Sequence, residues 1–165
     1  MFKKKKPEVT LDGLSSTILE NLIRACNDYS KRITQDKNSP FNSTDENIIM
    51  TELLMLTFWN LKYLNYPDEI YNAVSKHYLN LIEGLKADRD MYSKLIEIRV
   101  KLYFDTWKDT NENMSSFISA FLQNINKNIM FDSRAQHLIT TFFTTLNDAN
   151  LSLLKTIKEE MKIVL

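Results

Sequence analysis

Glycine and proline are scarce in this sequence, which has two glycines and three prolines in 165 residues. Tight hairpin turns, phosphate-binding loops and nucleophile elbows all depend on glycine, so the sequence has little room for any of them. Apolar residues instead recur three and four positions apart along nearly the whole chain, which is the spacing of one helix face. The sequence therefore predicts an all-α protein.

Cysteine is also nearly absent, since Cys26 is the single cysteine. No internal disulfide can form, and we expect a cytoplasmic protein with a reduced thiol. The lysines near the N-terminus are not followed by the apolar segment of a signal peptide. The most apolar stretch, residues 48–61, is interrupted by Glu52 and is shorter than the roughly 20 residues of a transmembrane helix. We therefore expect a soluble protein.

An excess of charge of either sign is missing, because 21 basic residues balance 21 acidic ones. No net field attracts nucleic acid, and we expect no nucleic-acid partner. Residues 1–10 are predicted to form a flexible basic tail. Its lysines, with Phe2, permit weak membrane contact at most, because a few charges and one aromatic ring do not anchor a protein.

The apolar periodicity and the cap residues predict one bundle of about six helices over residues 11–165. Ser43 and Glu46 have the spacing of a capping box, and Asp12, Asp88 and Asp132 are expected to cap three further helices. The helix near 44–64 is apolar on almost every side, so we expect it to be central. The predicted helices are 14–33, 44–64, 67–84, 88–108, 114–125 and a last one that starts near 132.

Glu52 is the most informative residue, because it lies among apolar side chains of the predicted central helix. A buried carboxylate is costly unless it finds a partner. Arg99 lies in the middle of the apolar stripe of the fourth helix, so we predict that the two side chains meet. In one interpretation the pair only stabilises helix packing. In the other it lines a cavity for a small polar or aromatic ligand.

The ligand-binding interpretation adds aromatic and imidazole side chains to this pair, and neither histidine has the spacing of a metal site. Val74 and Arg134 stand three residues before the histidines, where a di-iron bundle needs glutamate, so we expect no metal and no cofactor. Cys26 is expected to be buried and unreactive. The predicted ligand-binding residues are Glu52, Arg99, Trp59, Tyr63, Tyr92, Tyr103 and His77.

The sequence contains no catalytic constellation, so we expect a protein that is not an enzyme. The preferred hypothesis is a helical protein–protein interaction or regulatory domain, with a protein partner or self-association into a homodimer. Leu151, on the polar side of the last helix, is one piece of a predicted exposed apolar patch. The alternative is a bundle that binds a small molecule in a buried polar pocket near Glu52 and Arg99.

Overall fold

The computed structural model describes residues 6–164, except for the side chain of Lys127. Six α-helices are found in this range, and they confirm the predicted all-α fold. Single-turn 3-10 helices at Ser43–Asp45 and Lys127–Ile129 precede the second and sixth of them. None of the helices in this range is both long enough and apolar enough to cross a bilayer. The α-helices are Leu11–Gln35 (α1), Glu46–Tyr63 (α2), Asp68–Gly84 (α3), Arg89–Asp109 (α4), Met114–Ile125 (α5) and Ser133–Glu160 (α6).

Side-chain caps begin most of the helices. The predicted caps are confirmed for α4, where the Asp88 carboxylate accepts the Met91 N–H at 3.0 Å, and for α6, where Asp132 accepts the Ala135 N–H at 2.8 Å. The predicted Asp12 cap is wrong. Thr10 caps α1 through its hydroxyl oxygen, which accepts the Gly13 N–H at 3.2 Å, so the helix starts at residue 11.

The predicted capping box before α2 is shifted by one residue. Asn42 Oδ1 accepts the Thr44 N–H at 2.9 Å, and the Asp45 carboxylate accepts the Asn42 N–H at 2.9 Å. The box therefore joins Asn42 and Asp45, and the predicted pairing of Ser43 with Glu46 is wrong. Several adjacent residues are good caps, so the spacing alone did not select between them.

Three helix ends adopt a geometry that glycine usually provides. In each, the residue after the left-handed one donates its N–H to the carbonyl five residues earlier, at 2.9–3.1 Å. This arrangement normally places glycine in the left-handed region. α3 does end at Gly84 as predicted, but the left-handed residue there comes two positions later. The left-handed residues that end the three helices are Asn65, Lys86 and Asn111, and Glu112 after Asn111 is left-handed as well.

A short parallel sheet joins the two ends of the described chain. Strand β1 (Glu8–Thr10) pairs with strand β2 (Lys162–Val164), and Val9 lies opposite Ile163. The predicted flexible tail over residues 1–10 is therefore corrected for residues 8–10, which are held in a strand. Residues 1–5, which include Phe2 and three of the four lysines of the predicted membrane contact, lie outside the described residues.

Helix α2 is the central helix, as predicted. It contacts each of the other five α-helices, and every residue from 52 to 61 is buried. Trp59 is fully buried, and the centroids of five other aromatic rings lie within 6.0 Å of its ring. These rings belong to α2, α4, α5 and α6, so Trp59 joins four helices in one aromatic core. They are Tyr63, Phe104, Trp107, Phe117 and Phe143.

Candidate functional site

The predicted contact between Glu52 and Arg99 is confirmed. Arg99 Nη2 lies 2.8 Å from Glu52 Oε1, and the Tyr103 hydroxyl donates to Glu52 Oε2 at 2.6 Å. Glu52 is 5% exposed, whereas the Arg99 side chain is 23% exposed. Asn124 on α5 completes the cluster, since its Oδ1 accepts a hydrogen bond from Arg99 Nη1 at 3.2 Å. Both carboxylate oxygens are thus bound by groups of the chain itself.

The helical repeat explains how α4 supplies two partners for one carboxylate. Arg99 and Tyr103 are four residues apart and therefore lie on the same face of α4, opposite α2. Burial raises the pKa of the Tyr103 hydroxyl well above its ordinary value, and the neighbouring Glu52 carboxylate raises this pKa further. Tyr103 therefore stays protonated at neutral pH and acts as a hydrogen-bond donor to Glu52.

The remaining predicted site residues take no part in the hydrogen bonds and ion pair of this cluster. Trp59 and Tyr63 stack with their ring centroids 5.0 Å apart and belong to the aromatic core. Tyr92 packs edge-on against Tyr78. His77 Nε2 lies 3.2 Å from a carboxylate oxygen of α1, at a helix junction that contains none of the other predicted residues. Of the predicted set, the structure therefore joins Glu52, Arg99 and Tyr103 in one hydrogen-bonded cluster and stacks Trp59 on Tyr63, while Phe117 packs against both Trp59 and Tyr103.

Four surface cavities of the described residues have volumes between about 320 and 600 Å³. Neither Glu52 nor Arg99 lines any of these four. Because Glu52 is already fully bonded and faces none of these openings, we interpret its pair with Arg99 as a packing element between α2, α4 and α5. The geometry of this cluster supports the structural interpretation over the ligand-binding one.

One of these cavities, about 520 Å³ in volume, is a concave surface that we call the apolar recess. It is formed by side chains of α1, α2, α3 and α4 and by Leu85 at the end of α3, and none of its lining residues is charged. Leu81 and Leu85 are exposed on it, and Leu85 is 69% exposed. The predicted site residue Tyr92 lies here. The lining residues are Ile23, Asn47, Met50, Thr51, Leu54, Tyr78, Leu81, Ile82, Leu85 and Tyr92.

A second apolar depression, the α1–α6 groove, separates the two longest helices and has a volume of about 340 Å³. Ile18, Leu22 and Phe142 are among its buried apolar residues. Asn150, also in the groove, donates to the Oδ1 of the buried Asn60 on α2 at 2.7 Å. Sequence reasoning missed this amide pair, although Asn60 could have been found by the argument that found Glu52, as a polar side chain within an apolar run.

No protein-family model, curated protein or solved structure matches this chain. What the chain could bind or catalyse is therefore inferred from its own side chains. Cys26 is buried and free, and burial raises the pKa of its thiol far above the ordinary value, so the thiolate is not populated at neutral pH. Within residues 6–164, no three or more histidine, cysteine, aspartate or glutamate side chains are grouped to hold a metal ion.

Proposed function

We propose that this chain is a non-enzymatic helical protein-interaction domain and that the apolar recess is its docking surface. The observation that carries the proposal is a concave, uncharged surface bordered by exposed leucines. Contiguous exposed apolar surface, unlike apolar side chains scattered singly, is a feature of interaction sites, because water contact with it is unfavourable. The single buried cysteine supports a cytoplasmic location for this interaction.

A second copy of the chain is the partner that we propose. Leu85 lines the recess and is 69% exposed. The same surface therefore has both a hollow and an apolar side chain that can fill the hollow of a second copy. A two-fold contact requires such self-complementarity. Two copies also do not repel one another, because the formal net charge of the chain is zero.

Replacing Leu85 by glutamate is expected to weaken self-association by about 30-fold or more, the effect of losing a central interface residue. An unpaired carboxylate in an apolar contact is costly, whereas its exposed position in the monomer leaves folding intact. Sedimentation velocity across a concentration series measures the effect. Leu151→Glu is the matched control, because Leu151 is 46% exposed on α6 and does not line the recess.

Both variants should melt at the temperature of the parent when measured as dilute monomers by circular dichroism. A parent that sediments as a monomer at every concentration would contradict self-association. Equal weakening by Leu85→Glu and Leu151→Glu would also contradict it, since the recess would then have no special role. Weakening by Leu151→Glu alone would place the contact on α6 instead.

The α1–α6 groove supports a second function, the binding of a small apolar molecule. Its volume of about 340 Å³ lies in the range of small-molecule sites. Buried apolar side chains line it, and Asn21, Tyr29 and Thr145 are polar residues of its lining. This groove replaces the surroundings of Glu52 and Arg99 as the place where we propose that a ligand enters.

Ala149→Trp tests this second function, because Ala149 lines the groove and a tryptophan side chain there fills it. The probe is N-phenyl-1-naphthylamine, a neutral dye whose fluorescence rises in apolar surroundings. We expect the parent and Leu85→Glu to bind the dye and Ala149→Trp to lose at least about 90% of the signal, since no space remains for it. Undiminished dye binding by Ala149→Trp would exclude the groove.

A further inference from the structure

A third concave surface, which we call the basic cleft, lies between α3 and α4 and has a volume of about 600 Å³. Its apolar lining includes Tyr71 of α3 and Ile96, Val100 and Phe104 of α4. Its charged lining comes from three helices, because Lys62 of α2 joins residues of α3 and α4. The charged side chains are Lys62, Lys76, Arg89, Lys101 and Glu97.

Positive charge is in clear excess in this cleft, with four cations against one carboxylate. Arg89 is paired with Glu83 at 2.9 Å, whereas no carboxylate among the described residues lies within ion-pair distance of Lys62, Lys76 or Lys101. The chain as a whole is neutral, so this is a local concentration of charge. Such a concentration attracts anions even when the net charge of the protein does not.

Tyr71 and Lys62 give the cleft a feature that a merely charged surface lacks. The Lys62 ammonium lies 4.5 Å from the centroid of the Tyr71 ring, and Tyr71 is itself buried. Lys62 is thus held against an aromatic side chain that lines the cleft.

We propose that the basic cleft binds a small organic anion with a flat apolar body and a phosphate group, of the class of aromatic phosphate monoesters. The body lies against Phe104 and the neighbouring apolar side chains of α4, which exclude water from one face of it. The phosphate faces Lys76 and Lys101, since lysine binds phosphate as a point charge without demanding one geometry. This site shares no residue with the apolar recess and does not depend on it.

Titration of the full chain with 1-naphthyl phosphate, followed by isothermal calorimetry and by amide NMR shifts, tests the proposal. We expect the shifts to concentrate at Tyr71, Ser75 and Phe104. Lys76→Gln/Lys101→Gln is expected to raise the Kd by about 2- to 30-fold, the combined effect of losing two exposed ion pairs. Lys31→Gln/Lys155→Gln, which removes the same charge from α1 and α6 outside the cleft, should leave the Kd unchanged.

Two further probes separate the contributions of charge and body. Inorganic phosphate carries the charge without the aromatic body, and 1-naphthol carries the body without the charge, so each is expected to bind at least about tenfold more weakly than 1-naphthyl phosphate. The proposal is overturned if the two double variants weaken binding equally or not at all. It is also overturned if 1-naphthol binds as tightly as the phosphate, or if the NMR shifts fall in the α1–α6 groove.

Discussion

Replacing Arg99 by methionine is expected to lower the free energy of unfolding by about 3–5 kcal/mol, the cost of leaving a buried charge without its partner. Glu52 is 5% exposed and cannot turn toward water when the guanidinium is gone. It would keep only the hydrogen bond from the Tyr103 hydroxyl, at 2.6 Å. Urea unfolding followed by circular dichroism measures the change.

Removing the other partner, by Glu52→Met, should cost less, about 1–3 kcal/mol, because the remaining Arg99 charge is in contact with solvent. The Arg99 side chain is 23% exposed, and it retains its hydrogen bond to Asn124. The double variant Glu52→Met/Arg99→Met should be more stable than Arg99→Met alone, since it leaves neither charge behind. An Arg99→Met protein within about 1 kcal/mol of the parent would show that Glu52 has another route to solvation.

Trp59→Ala is the second large effect that we expect, with a loss of about 3–5 kcal/mol from the cavity it creates. The side chain is fully buried and packs against rings from α2, α4, α5 and α6. Its indole N–H has no hydrogen-bond partner among the described residues, so the loss comes from packing rather than from a broken hydrogen bond. Guanidinium unfolding and near-ultraviolet circular dichroism report stability and the order of the aromatic core.

Trp59→Phe is the matched control for this prediction. It removes the unpartnered N–H but keeps most of the ring, so we expect a cost of only about 1–2 kcal/mol. Both substitutions remove the Trp59 indole, so the near-ultraviolet signal of the remaining aromatic residues, Trp107 above all, should be kept in Trp59→Phe and largely lost in Trp59→Ala. Equal stability of the two variants would mean that the surrounding rings close the cavity by moving inward.

The accuracy of the predicted helix bounds differs between the helices. The bounds of α5, Met114–Ile125, agree with the prediction, and α4 begins after Asp88 as expected. The starts of α1 and α2 were misplaced because threonine, serine, asparagine and aspartate stand side by side there, and any of them accepts a free N–H. The β1–β2 pair was missed because three-residue strands have no periodicity to detect, and their partners are far apart in the sequence.

The candidate site was predicted in part. Glu52 and Arg99 were found because each is a charge placed within an apolar stripe, and a buried charge requires a partner wherever the helices meet. Asn124 was missed, since an asparagine at the end of a helix is ordinarily solvent-exposed. Tyr92 and His77 were grouped with the pair although they lie on other faces of the bundle, because helical periodicity places residues on a face without showing which helix that face meets.

The sequence by itself determined the helical class, the central position of α2 and the pairing of Glu52 with Arg99. These properties follow from the spacing of apolar residues and from the cost of burying an unpaired charge, and both can be deduced from the order of the residues alone. The tertiary structure alone decided where the surface is concave and which side chains share each hollow. The apolar recess draws on four helices and the basic cleft on three, so their chemistry arises only when the helices pack at particular distances and angles.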